Sequence, residues 1–147
     1  MLIKLNGDFN ILTQRQRKAI EAMVEIGADP GTERSAAEMA RRLGLSRESV
    51  HQLLVPFVRS GLLVAVRGRA GGYRAGETLL STPLASVLAP FAGPAPRPVA
   101  AGRGAARLVA AVEAEAAGAR RAVWERTTVG HLVSRFRAER EALDWEI

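Results

Sequence analysis

Apolar positions recur at helical spacing through the first sixty residues. Ala19, Ile20, Met23 and Val24 share one face of a segment that Thr13 opens and Gly27 closes. Thr13 with Gln16 three positions on is a capping box: a hydroxyl at the N-cap serves the N3 amide, and the N3 side chain reaches back. The pattern predicts a first helix to about Ile26. Residues 28–34 contain Asp29-Pro30-Gly31, a turn signal, and are expected as a loop. Ser35 with Glu38 forms a second capping box before a helix whose Ala36, Met39, Ala40 and Leu43 face inward. Gly44 suits the left-handed position that ends such a helix. Ser46 caps a third helix, in which Val50, Leu53, Leu54, Phe57 and Val58 form the core-facing stripe and Gly61 closes. Pro56 removes a backbone donor there and crowds the carbonyl of Gln52, so a kink or early break is expected.

The period then changes. Leu62 to Val66 reads as a strand, Gly68, Gly71 and Gly72 as a tight turn, and Tyr73 to Ala75 as the returning strand. Helix, turn, helix and basic hairpin is the layout of a winged helix-turn-helix. Thr82 is expected to cap a short fourth helix, with Pro83 at its first position and its end near Leu88. Residues 90–104, rich in Pro, Gly and Ala, read as an irregular linker. A long helix follows over about 105–126, with Leu108, Val112, Ala116, Ala119 and Val123 as its apolar seam. So small a head cannot cover that seam, so a partner chain is its expected cover. Thr127 or Thr128 caps a last helix carrying Val129, Leu132, Val133 and Phe136 on one face. The expected fold is mainly α: a winged helix-turn-helix head with a two-stranded β wing, plus a long C-terminal dimerisation helix. The expected division is 1–89 for the DNA-binding head, 90–104 for the linker and 105–147 for the helical dimerisation region.

Composition narrows the chemistry. The 147 residues include no cysteine and only two histidines, His51 and His131, far apart in the chain. Disulfides, thiolate metal sites and thiol redox sensing are excluded, and neither a metal nor a cofactor is expected. No long apolar run suggests a membrane span, and Lys4 and Asp8 interrupt the start, so a cytoplasmic location is expected. No nucleophile–base motif supports an enzyme. The glycines at 68, 71 and 72 lack the spacing and following helix of a nucleotide loop.

Charge points the other way, towards a polyanion. The chain carries a net charge of +6. Residues 41–74 hold seven arginines (Arg41, Arg42, Arg47, Arg59, Arg67, Arg69, Arg74) against Glu48 alone, and the remainder balances. The whole excess therefore sits on the helix-turn-helix and hairpin, as the electrostatic footprint of a nucleic-acid reader should. Arg47, Glu48, Ser49, His51 and Gln52 lie off the apolar stripe of the third helix and are the candidate base readers; arginine can pair with guanine and glutamine with adenine. Ser35 and Ser46, at helix starts, suit phosphates, as do Arg41 and Arg42. Arg67, Arg69 and Arg74 belong to the wing, where a tip cation suits a narrow minor groove. Arg59 equally suits the dipole at its helix end. His51 reads a base or stays solvated; His131 caps or packs; Trp124 and Trp145 pack or line an effector pocket.

Residues 11–82 resemble the Rrf-two (BadM/IscR/CymR) family of bacterial winged-helix regulators. The carrying residues are Ser35 to Ala40, Leu43 to Ser46, Leu53-Leu54, Ser60 to Leu63, and Arg67-Gly68 followed by Gly71-Gly72-Tyr73. Residues 126–132 resemble the start of the family's closing helix. The resemblance implies a homodimer on a partly palindromic operator, a repressor, with the long helices of two copies crossing. Many members hold an iron–sulfur cluster through three linker cysteines; this chain has none there and resembles a cluster-free branch, answering to an unidentified effector or partner protein. The family usually carries an acid where His51 stands, which implies a different base preference. The alternative reading of the same layout is a winged-helix protein-docking module in a signalling or regulatory complex.

Overall fold

The computed structural model describes residues 11–69, 71–94 and 102–145. The first ten residues and most of the linker's centre lie outside the described residues. Among the described residues six α-helices run α1 (Gln14–Ala28), α2 (Ala36–Leu43), α3 (Arg47–Arg59), α4 (Leu84–Leu88), α5 (Ala105–Arg126) and α6 (Val129–Trp145). Three strands, β1 (Arg34–Ser35), β2 (Leu63–Val66) and β3 (Gly72–Ala75), form one antiparallel sheet in the order β1-β3-β2. The architecture is mainly helical with a small sheet, as expected.

Capping sets the helix starts. The Thr13 hydroxyl accepts from the Gln16 amide at 3.1 Å, and Gln16 Oε1 accepts from the Thr13 amide at 2.9 Å. Ser35 and Ser46 each accept from the N3 amide, of Glu38 and Ser49, at 3.1 Å. Gly44 takes the left-handed conformation, φ 65°, that ends α2 and lets the chain turn into α3.

The core joins all the helices of the head. Ala19, Met23 and Ile26 of α1, Met39 and Leu43 of α2, and Leu54 and Phe57 of α3 are buried together. Leu63 and Tyr73 bring the hairpin onto them, and Val129 and Val133 bring α6. Helix α6 thus belongs to the head although it follows the linker. It docks along α1, and Arg137 donates Nε and Nη2 to the Ala28 carbonyl at 2.9 and 2.6 Å, where the helix leaves an acceptor free. The amide of Leu84 donates to Thr127 O at 2.8 Å and that of Val129 to Thr82 O at 2.9 Å, which locks the starts of α4 and α6 together.

Five local expectations are corrected. Gly27 does not end α1 but lies buried inside it; a Cβ there would sit 3.1 Å from Val133 Cγ2, so the bare backbone lets α6 approach. Residues 34–35 leave the loop to form β1 and widen the two-stranded wing to three strands. A Cβ on Gly72 would run into the Arg34 carbonyl, so glycine permits that pairing. The second capping box is half made: the Glu38 carboxylate binds Arg34 and Arg42 instead of the cap backbone. Pro56 does not break α3, which runs to Arg59. It sits in the last turn, and the carbonyl it deprives belongs to exposed Gln52, where water can replace the bond. Thr82 does not cap α4; its hydroxyl donates to Thr78 O at 2.7 Å, and Pro83 is the N-cap.

Candidate nucleic-acid interface

Helix α3 divides cleanly. Val50, Leu53, Leu54 and Phe57 are buried, while Arg47, Glu48, Ser49, His51 and Gln52 are all exposed. A helix whose core stripe is filled presents its other face rigidly, and here that face is the one the sequence nominated. Its side chains are not equally free. Gln52 Nε2 donates to Glu48 Oε1 at 3.1 Å, one turn back. The Ser46 hydroxyl donates to Ser49 Oγ at 2.8 Å while accepting the Ser49 amide. Arg47 has no ion-pair partner among the described residues. His51 Nδ1 lies 3.4 Å from Tyr73 Oη, which links α3 to the wing. Burial raises the Tyr73 phenol's pKa above its ordinary value, so near neutral pH it is a neutral hydroxyl.

The hairpin pairs Leu63 to Ala75, Val64 to Arg74, Ala65 to Tyr73 and Val66 to Gly72. That register puts Leu63 and Tyr73 into the core and leaves Arg74 exposed. Arg67 and Arg69 lie exposed in the turn. The turn closes by a bond from the Gly71 amide to Gly68 O at 3.1 Å, with Gly71 at φ 27°. Ser35 borders the same turn: it shares a shallow hollow with Arg67, Arg69 and Gly71. Arg67, Arg69 and Arg74 are in no ion pair among the described residues, nor is Arg41, exposed at the end of α2.

Arg42 is different. Its Nη1 meets Glu25 at 2.7 Å and its Nε meets Glu38 at 3.0 Å. Burial disfavours its charge, but the hydrogen bonds and charges of Glu25 and Glu38 outweigh that and raise its pKa. Glu38 also meets Arg34, which binds Asp29 in turn. This network ties α1, β1 and α2 together, and it takes up the guanidinium the sequence nominated for phosphate. Conversely, Arg15 and Lys18 of α1 border the same hollow as Ser49 and Gln52, a placement that sequence reasoning missed because α1 read only as core. The pairing of Lys18 with Glu21 at 2.8 Å leaves Arg15, which stacks over the Phe91 ring, as the added cation at that edge.

The seam on α5 is open. Leu108, Val112 and Val123 are 69, 65 and 37% exposed, Ala116 and Ala119 are exposed, and no α5 residue is buried. Only Trp124, half-buried at its C-terminal end, packs against the core. Trp145 is exposed at the end of α6. Thr128 caps α6: its hydroxyl accepts the His131 amide at 3.2 Å, and His131 Nδ1 accepts the Thr128 amide at 3.1 Å. His131 is therefore a capping residue. No helix among the described residues is long and apolar enough to cross a membrane.

A family model described as Rrf2, iron-dependent transcriptional regulator, matches residues 12–134. The HTH-type transcriptional regulator IscR of Vibrio vulnificus (strain YJ016) is 31% identical over 81 residues, covering 53% of this chain and 47% of that protein. IscR of Vibrio parahaemolyticus is 32% identical over 79 residues, with the same coverage. The match thus spans about half the length of these curated relatives. Among solved structures, CymR, the global cysteine regulator of B. subtilis, superposes with a TM-score of 0.72 at 23% identity, over 84% of this chain and 96% of that one. IscR of T. potens superposes with a TM-score of 0.68 at 18% identity, over 84% and 86%. At those identities the superpositions speak to the fold.

Proposed function

The chain belongs to the Rrf2 family of transcription regulators, and from that premise we propose that it is a sequence-specific repressor acting as a homodimer on a partly palindromic DNA operator in the cytoplasm. The observation that carries the DNA reading is the set of unpaired cations. Arg41, Arg47, Arg67, Arg69 and Arg74 stand exposed on the helix-turn-helix and wing with no carboxylate within ion-pair distance among the described residues. Folding leaves these charges unneutralised, and phosphates would neutralise them with release of counterions. Arg47, His51 and the Glu48–Gln52 pair read bases from α3; Ser35, Ser46 and Ser49 serve the backbone. Arg42, held by two carboxylates, is left out of this interface.

Dimerisation falls to α5. An amphipathic helix of 22 residues with no buried side chain gains its stability from packing elsewhere, and the small residues Ala116 and Ala119 allow a twin helix to come close. The reading is cluster-free. The family's description names iron, but this chain has no cysteine, and among the described residues no group of three or more His, Asp or Glu is placed to hold a metal ion. The donors present do not fit the group.

The test is selection of genomic DNA fragments by the purified protein at near-physiological salt. Enrichment of a partial palindrome is expected. Recovery without sequence enrichment would remove sequence specificity, and no recovery would move the winged helix to protein docking.

A further inference from the structure

Helix α3 has a second apolar flank that the core only partly covers. Val55 turns away from the stripe of Val50, Leu53, Leu54 and Phe57, and Val58, at the stripe's edge and packed against the core, is likewise only half-buried. They face Ala65 and Val66 of the wing and the ring of Tyr73 across an open hollow of about 610 Å³. That size lies within the range of small-molecule sites, which are mostly apolar with a few convergent polar groups. The polar groups are specific. Arg59 and Arg69, both exposed and without an ion-pair partner among the described residues, line the hollow, and His51 and the Tyr73 hydroxyl meet at its wall. No carboxylate among the described residues lines it. Apolar walls, two cations and no anion are complementary to a molecule with an apolar body and a negative end.

We infer that the space between α3 and the wing binds a small amphipathic organic anion, an aromatic carboxylate or one of like shape, with its body on Val55, Val58 and Tyr73 and its charge at Arg59 and Arg69. The neutral Tyr73 hydroxyl and His51 supply further hydrogen bonds to the carboxylate. Such a ligand occupies Arg69 and wedges the wing from α3, so it competes with the operator. This last step rests on the DNA reading; occupancy of the hollow does not.

Tyr73 is the only tyrosine in the chain, so 3-fluorotyrosine labelling of the full chain gives one fluorine signal at the site. The probe is 1-naphthoate, with its neutral amide as control, titrated without DNA. A saturable shift with naphthoate is expected, with the amide roughly tenfold weaker because a charged hydrogen-bond partner is lost. The Arg59→Ala/Arg69→Ala double variant should weaken naphthoate by a similar factor or more, and Ala65→Phe, which fills the hollow, should abolish the shift with the circular dichroism unchanged. No shift, equal response to the amide, or a shift that survives Ala65→Phe would overturn the site. Adding naphthoate to an operator complex reads the second step separately. A saturable shift with undiminished DNA binding would retain the site and overturn the competition, whereas a protein that binds naphthoate but no duplex would overturn the DNA reading alone.

Discussion

Replacing Arg69 with alanine separates an electrostatic wing contact from a structural one. Arg69 is exposed in the turn and makes no ion pair among the described residues, so its loss should leave folding and dimerisation intact. The five unpaired arginines assigned to the interface give about ten per dimer, and a slope of log affinity against log salt of about −9 if all meet phosphates. Arg69→Ala removes one from each protomer and flattens the slope by about 1.8. Between about 50 and 200 mM salt the wild type should then lose on the order of 10⁵ in affinity. The variant's deficit relative to wild type should shrink about twelvefold over the same range. Fluorescence anisotropy on one duplex, across a salt series, measures both slopes. A variant line parallel to the wild type would show that Arg69 meets no phosphate. A wild-type slope shallower than about −3 would sink the phosphate-neutralising surface as a whole.

Three further perturbations address the fold and the arm. Gly27→Val should cost about 1–3 kcal/mol by overpacking, since its Cβ meets Val133 and Leu80 at 3.1 and 3.3 Å; a thermal midpoint equal to wild type would show that α6 does not press on α1. Leu108→Asp with Val112→Asp should convert the dimer to a monomer in sedimentation with helical content of the head retained, because neither side chain is buried; an unchanged sedimentation coefficient would move dimerisation off α5. Thr128→Ala should lower stability by about 1 kcal/mol through loss of the α6 cap, read in chemical denaturation; no change would mean that the His131 half of the cap suffices.

Local signals were legible wherever a short stretch contained its own cause. The Thr13–Gln16 box, the Ser46 cap, the left-handed Gly44 and the Leu63–Ala75 hairpin depend on residues a few positions apart, and each stands where the pattern puts it. The signals that failed have distant causes. A glycine at the end of an apolar run reads as a terminator, but Gly27 is there for Val133, which no window around it contains. Two residues ending on a helix cap do not read as a strand, and β1 exists only because Gly72 lets the Arg34 backbone come close. Thr82 beside Pro83 has the composition of a cap. Its hydroxyl goes to Thr78, while the α4 amide it would have served belongs to Leu84 and finds Thr127 across the chain. The hollow was hidden for a related reason: Val58 reads as part of the core stripe, and only the wing's position shows the open space beside it.

Charge gives the sharper lesson, because the same residue type serves two ends. Counting arginines along residues 41–74 treats them alike. The fold removes Arg42 from the count through Glu25 and Glu38, carboxylates that lie outside that window. Arg34, also outside it, is consumed by Asp29 and Glu38. These pairs join α1, β1 and α2, and they hold the base from which α3 and the wing project. Six of the seven remain after subtraction, and Arg59, at the end of α3, lines the hollow beside the wing. Arg47 stands on α3, Arg41 just before it, and Arg67, Arg69 and Arg74 on the hairpin. The division fits one surface left to be neutralised by a partner and a scaffold neutralised from within. It makes Arg42 a discriminating control: its loss should lower stability and leave the salt slope of DNA binding unchanged, the reverse of Arg69.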